Sequence, residues 1–182
     1  MSLSPQGESP AAPGRWFALQ LLTCFGLGRI PIAPGTFGSL PPVVLAALLA
    51  SMYGGAALVD AILVLLAVAF GIACVRFGAI GEDAFGRKDP SQVVADEVAG
   101  QAITLLLLPW RAPGEEGALA WNLGWAVAGF VLFRLFDVLK PGPIRRVQAM
   151  GGGSGILADD LLAGVFAATV LHAAAATMRT LG

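Results

Sequence analysis

The chain has 182 residues, 57% of them hydrophobic and 13% charged, with a net charge of −1 and a mean hydropathy of +0.78. Soluble domains average about 25% charged residues, so too little polar surface is present to clothe a soluble monomer, and one domain suffices for this length. The near-zero net charge provides no electrostatic footprint for nucleic acid, and Cys24 and Cys74 have no zinc-site or disulfide spacing.

Met1–Gly14, with three prolines and two glycines, is expected as a flexible tail rather than a signal peptide, leaving residues 15–182 as a single helical domain. Arg15–Phe25 is a short apolar segment suited to the membrane interface or the core. Gly26–Ser39 is so dense in glycine and proline that an irregular loop is predicted, with Leu40–Ala50 helical behind Pro41-Pro42 as its first turn. After a break at Ser51–Gly55, Ala56–Arg76 is long enough to span a bilayer. Phe77–Ala95 is polar, and Asp96–Pro109 reads as a shorter apolar helix. A loop at Trp110–Gly117 leads to a second span, Ala118–Phe136, with Trp121 and Trp125 placed as an interfacial belt. A second flexible loop, Gly151–Gly155, precedes the last span, Ile156–Met178.

If the spans alternate, one side receives Arg15, Arg29, Arg76, Arg87, Lys88, Lys140, Arg145 and Arg146, the other Arg111 and Arg179. The positive-inside rule makes the first side cytoplasmic. The same side receives the Gly/Pro-rich loop and three acidic groups: Asp96-Glu97, Asp137 and Asp159-Asp160. The predicted fold is therefore all-α, a polytopic membrane bundle with Gly/Pro-rich active-site loops at its cytoplasmic face.

Acids opening a helix complement its dipole, and Asp137 with Lys140 at i, i+3 can form an ordinary ion pair. Three such groups on separate segments, all at one membrane face, point instead to a metal site of the carboxylate type that Mg²⁺ takes. Gly26–Ser39 has the parts of an anion cradle: backbone N–H groups, Arg29, and the hydroxyls of Thr36 and Ser39. Arg145 and Arg146 suit either phosphate or anionic lipid headgroups. Other phosphatase chemistries fit poorly. His172 lies deep in an apolar run, Cys24 and Arg29 miss the cysteine-phosphatase spacing by one residue, and no D-x-D-x-T occurs.

The motifs G-x-G-x-x-P-x-A-P-G-T-F-G-S (Gly26–Ser39), V-x-D-E-x-x-G-Q (Val94–Gln101), F-R-x-F-D-x-x-K-P-x-P-I (Phe133–Ile144) and G-G-x-G-I-x-x-D-D-x-x-A-G (Gly152–Gly164) resemble phosphatidylglycerophosphatase A. The resemblance implies a bacterial inner-membrane enzyme that removes the terminal phosphate of phosphatidylglycerophosphate with Mg²⁺, its active site facing the cytoplasm. It assigns Asp96, Glu97, Asp137, Asp159 and Asp160 to metal and water handling. On this reading Asp96 or Asp137 activates water with Lys140 beside it, and Arg29, Gly35, Thr36, Ser39, Lys140 and Arg145 hold phosphate. The expected partners are the lipid substrate and the bilayer. Gly142 and the loose run Gly152–Gly155 depart from the usual pattern, which bears on the loop and not on the acids.

The alternatives are another phospholipid phosphomonoesterase or a cation transporter using Asp60, Asp96 and Asp137. A phosphatidyl-group transferase lacks its D-G-x-x-A-R signature here.

Overall fold

The computed structural model describes residues 13–142, 144–145 and 152–181, and within them every regular element is helical. Arg146, Gly151 and most of the expected N-terminal tail lie outside the described residues. Six α-helices follow in order: α1 (Pro13–Leu22), α2 (Pro34–Met52), α3 (Ala56–Phe85), α4 (Ala95–Thr104), α5 (Ala118–Leu139) and α6 (Gly152–Leu181), with a single 3₁₀ turn at Leu27–Arg29. Four of them, α2, α3, α5 and α6, are long and apolar enough to cross a membrane. Their outward faces carry exposed Val64, Leu65, Val68 and Ile72 on α3 and Leu119, Leu123, Val127 and Val131 on α5. Such continuous apolar exposure is what a bilayer covers.

Several helix boundaries differ from the sequence prediction, α4 ending at Thr104 rather than Pro109 among them, and three others shape the site. First, α2 opens at Pro34, not at Pro41. Proline at the first helical position gives up an N–H that has no intrahelical partner there, and Pro34 occupies that position after Ala33, whose φ is 49°. Pro41 and Pro42 sit inside the helix and withhold only the bonds to the Phe37 and Gly38 carbonyls. Second, α3 continues nine residues past Arg76 and closes on Gly86 in the left-handed conformation (φ 68°). At 1.5 Å per residue, thirty residues extend roughly 45 Å, so the last turns clear a bilayer core of about 30 Å. There Asp83 pairs with Arg15 of α1 at 2.8 Å. Third, Gly152–Gly155 is the first turn of α6 rather than a loop, which leaves Asp159 and Asp160 two turns inside the helix.

The chain runs back and forth between two ends. At one end lie the starts of α2, α4 and α6 and the finishes of α3 and α5. At the other, Ser51 Oγ meets Asn122 Nδ2 at 3.4 Å and Leu107 N donates to Asp60 Oδ1 at 2.8 Å. Between them, α4 is enclosed: it packs against α2, α3, α5 and α6, and Ala99, Ala102 and Leu105 are fully buried. The α4–α6 crossing is close because both helices present glycine. A Cβ at Gly164 would stand 2.4 Å from the Gly100 carbonyl oxygen, and one at Gly100 would stand 2.5 Å from that of Asp160. This crossing brings α6 up to α4 at the level of the acids.

Candidate active site

Asp96 and Glu97 occupy the first turn of α4, where the helix dipole favours a carboxylate. They are not solvated caps: Asp96 is buried, and its helix lies inside the bundle. Asp160 approaches from α6, so that one oxygen each of Asp96, Glu97 and Asp160 lies within 4.8 Å of the others. Asp137, in the last turn of α5, and Asp159 are also buried, and with Lys140 they line the same cavity of about 200 Å³. Arg87, Asp89 and Ser91, from the α3–α4 connection, complete its wall.

Lys140 keeps the i, i+3 ion pair with Asp137 that the spacing predicts and adds a closer one to Asp159. It ends α5 with φ 42°, off the helical path, so its side chain turns partly away from the face it shares with Asp137. Its Nζ lies 4.0 Å from Asp137 Oδ1 and 2.5 Å from Asp159 Oδ2, a hydrogen-bonded ion pair across to α6. Asp137 pairs more closely with Arg134, one turn earlier, at 2.6 Å. Arg134 was not singled out by sequence reading, although it stands at i−3 from Asp137 within the F-R-x-F-D motif, where that spacing identifies it. Gly35 explains how α2 approaches so closely: a Cβ there would lie 2.3 Å from Glu97 Oε1 and 3.1 Å from Arg134 Nη1.

The electrostatics are those of crowded, dry carboxylates. Burial raises the Asp96 carboxyl well above its ordinary value, and the charge of Glu97 adds to the shift. Burial likewise lifts Glu97 to about 8, with the Asp160 and Asp137 charges pushing the same way and a hydrogen bond to Asp96 and the Arg134 charge opposing them. For Lys140, burial works downward, but the hydrogen bond and charge of Asp159, with Asp160 and Asp137, outweigh it and the ammonium is held above its ordinary value. Four buried carboxylate oxygens, Asp96 Oδ1, Glu97 Oε2, Asp159 Oδ1 and Asp160 Oδ2, have no hydrogen-bond partner among the described residues.

The predicted phosphate ligands are more dispersed. Lys140 alone among them lines the acid cavity. Gly35 adjoins it through Glu97. Ser39 is buried in α2, where its hydroxyl donates to the Gly35 carbonyl at 2.8 Å, because a serine inside a helix satisfies itself on the preceding turn. Thr36 sits half-buried in the first turn of α2 with its N–H on the Ala33 carbonyl. Arg29 and Arg145 are exposed.

Four helices long and apolar enough to cross a membrane, around a buried carboxylate group able to hold a metal ion at one end of the bundle, define the class as a multi-pass membrane protein. The family model described as phosphatidylglycerophosphatase A matches residues 20–175. The chain belongs to that family. It is 37% identical to phosphatidylglycerophosphatase A of Haemophilus influenzae over 82% of this chain and 83% of the relative. It is 36% identical to the Escherichia coli protein of the same name, over 81% and 77%. A candidate phosphatidylinositol-3-phosphatase of Bacteroides thetaiotaomicron is also 36% identical, over 79% and 84%. No solved structure matches the chain.

Proposed function

We propose that residues 15–182 form a single-domain, Mg²⁺-dependent phosphatase that hydrolyses the terminal phosphate monoester of phosphatidylglycerophosphate, giving phosphatidylglycerol and inorganic phosphate. Family membership supports the substrate. The observation that carries the chemistry is the Asp96–Glu97–Asp160 group with its unpartnered carboxylate oxygens. Oxygen ligands from converging carboxylates fit a hard divalent cation, and buried like charges need one. Asp96, Glu97 and Asp160 would hold it, with Asp137 and Asp159 beside them. When bound, Mg²⁺ supplies Lewis-acid polarisation of phosphoryl oxygens and neutralises their charge.

The protein's own groups have separable tasks. Asp137, fixed by Arg134, orients the attacking water and takes up its proton; Asp96 is the other carboxylate placed for that role. The water oxygen bonds to phosphorus as the ester P–O bond breaks, and the departing glycerol oxygen takes a proton from solvent, balancing the one Asp137 accepts. Lys140, anchored on Asp159, presents positive charge to phosphoryl oxygens in the cavity. Arg29 and Arg145, exposed at the same end, are placed to meet lipid phosphates outside it. The excess of cations at this end over Arg111 and Arg179 at the other supports a site facing the cytoplasm, in the inner membrane of a bacterium. A transporter reading loses support, because Asp60 is bonded to Leu107 N at the opposite end from Asp96 and Asp137.

A second substrate, a phosphoinositide monoester, is favoured only by the Bacteroides relative. Purified protein in detergent, given phosphatidylglycerophosphate or phosphatidylinositol 3-phosphate with and without Mg²⁺ beside Asp137→Asn, separates these readings. Mg²⁺-dependent release from the first lipid, lost in the variant, is expected. Release from the second lipid alone refutes the substrate, and release without metal refutes the mechanism.

A further inference from the structure

Arg111 and Arg179, the two basic residues at the end opposite the acids, are 68 positions apart yet line one cavity of about 250 Å³ with Trp121 and Met178. Each has an ordinary account by itself. Arg111 lies 4.1 Å above the Trp121 ring and donates to the Glu116 carbonyl, while Arg179 complements the dipole in the last turn of α6. Neither accounts for their meeting. Among the described residues no carboxylate forms an ion pair with either arginine, so two like charges share a recess without an anion.

The recess opens into an apolar trough of about 370 Å³ between α5 and α6, which shares Trp121, Trp125 and Met178 with it. Ala120, Gly124 and Ala128, one turn apart along α5, form its floor. A Cβ added at Gly124 would meet nothing within 4 Å, so the trough is open there. A cationic recess at the membrane boundary, continuous with an apolar trough along the spanning helices, is complementary to an amphiphile with an anionic head.

We propose that this groove binds one anionic phospholipid of the far leaflet, its phosphate at Arg111 and Arg179 and one acyl chain along the α5–α6 trough. Arginine suits the head, since its fork donates to two phosphate oxygens at once, and the wall of Trp125, Leu132 and Val170 suits the chain. The site is separate from the acids and does not depend on the reaction proposed for them.

The test is native mass spectrometry of protein from nanodiscs with equal phosphatidylserine and phosphatidylcholine of the same chains, for wild type, Arg179→Gln and Gly124→Leu. Arg179→Gln removes charge from a side chain with no ion-pair partner among the described residues, and Gly124→Leu grows into the trough from a Cβ position with nothing within 4 Å while favouring the helix. One retained phosphatidylserine is expected on wild type, its occupancy falling roughly tenfold in either variant, with phosphate release unchanged. Equal retention of both lipids, or retention indifferent to both substitutions, overturns the proposal. A dimer lost in Gly124→Leu, with no lipid retained, overturns it in favour of a second copy of the chain.

Discussion

Asn122 at one end of the bundle and the acids at the other are satisfied to opposite degrees. At the far end Asn122 is saturated: its Oδ1 accepts from Arg111 N at 2.9 Å, and its Nδ2 donates to Arg111 O at 3.0 Å. Trp121 Nε1 donates to the Pro109 carbonyl, and Asp60 takes the Leu107 N–H. At the acid end, four buried carboxylate oxygens are left without a donor. Trp110 Nε1, near Asn122, and both amide atoms of Gln101 are also without a partner among the described residues, so an open polar atom does not by itself mark a site. What sets the acid end apart is that three carboxylates offer oxygens within 4.8 Å of one another, an arrangement that suits a metal ion.

The sharpest way to break this contrast is Asp160→Asn. Losing a ligand there is expected to remove several kcal/mol of transition-state stabilisation, at least about a hundredfold in kcat, measured as phosphate release. In chelator the same variant should melt higher than wild type, because a buried like charge is gone; a lower melting point would mark Asp160 as a fold residue. Gly35→Ala tests the wall behind Glu97. Its Cβ displaces Oε1, and the expected loss is roughly 10–100-fold in turnover at near-normal expression.

The pH response of metal-free protein sharpens the comparison further. Glu97 rises from an ordinary 4.5 to about 8, so between those values the folded state binds more protons than the unfolded one. Stability is then fully present below about pH 4.5 and declines as pH rises toward 8. Thermal melts from pH 5 to 8 should show that decline without Mg²⁺ and a flatter profile with it. Asn122→Ala, at the satisfied end, has the smallest expected effect on the reaction. It costs about 1–3 kcal/mol of stability by orphaning Arg111 N and O, while turnover per folded molecule stays unchanged.

Much of this arrangement was legible in the sequence because alternation of apolar runs is a strong constraint. Asp96-Glu97, Asp137 and Asp159-Asp160 fall at one end once the runs are laid back and forth, and α4 reads as a shorter helix, although it ends at Thr104 rather than Pro109. What was hidden depends on single backbone positions. Pro41-Pro42 imitates a helix start, yet Pro34 holds the first position after Ala33 turns left-handed. Glycines at 152–155 suggest a loop, but the backbone there is already helical. Lys140 leaves helical geometry at the end of α5, so its pair with Asp137 is loose at 4.0 Å while Asp159 and, for Asp137, Arg134 are the closer partners that spacing did not reveal. Ser39 has the right chemistry for phosphate but spends its proton on its own helix.

The enclosure of α4 also has a consequence for biogenesis. Ala95–Thr104 carries Asp96, Glu97, Gln101 and Thr104 in ten residues and is not among the helices able to cross a membrane by themselves. Entering lipid alone would cost such a segment several kcal/mol for its acids. It therefore waits at the surface until α5 and α6, translated after it, are in the bilayer and can receive it. Completing the acid group then requires the last helix, because Asp160 is its third member.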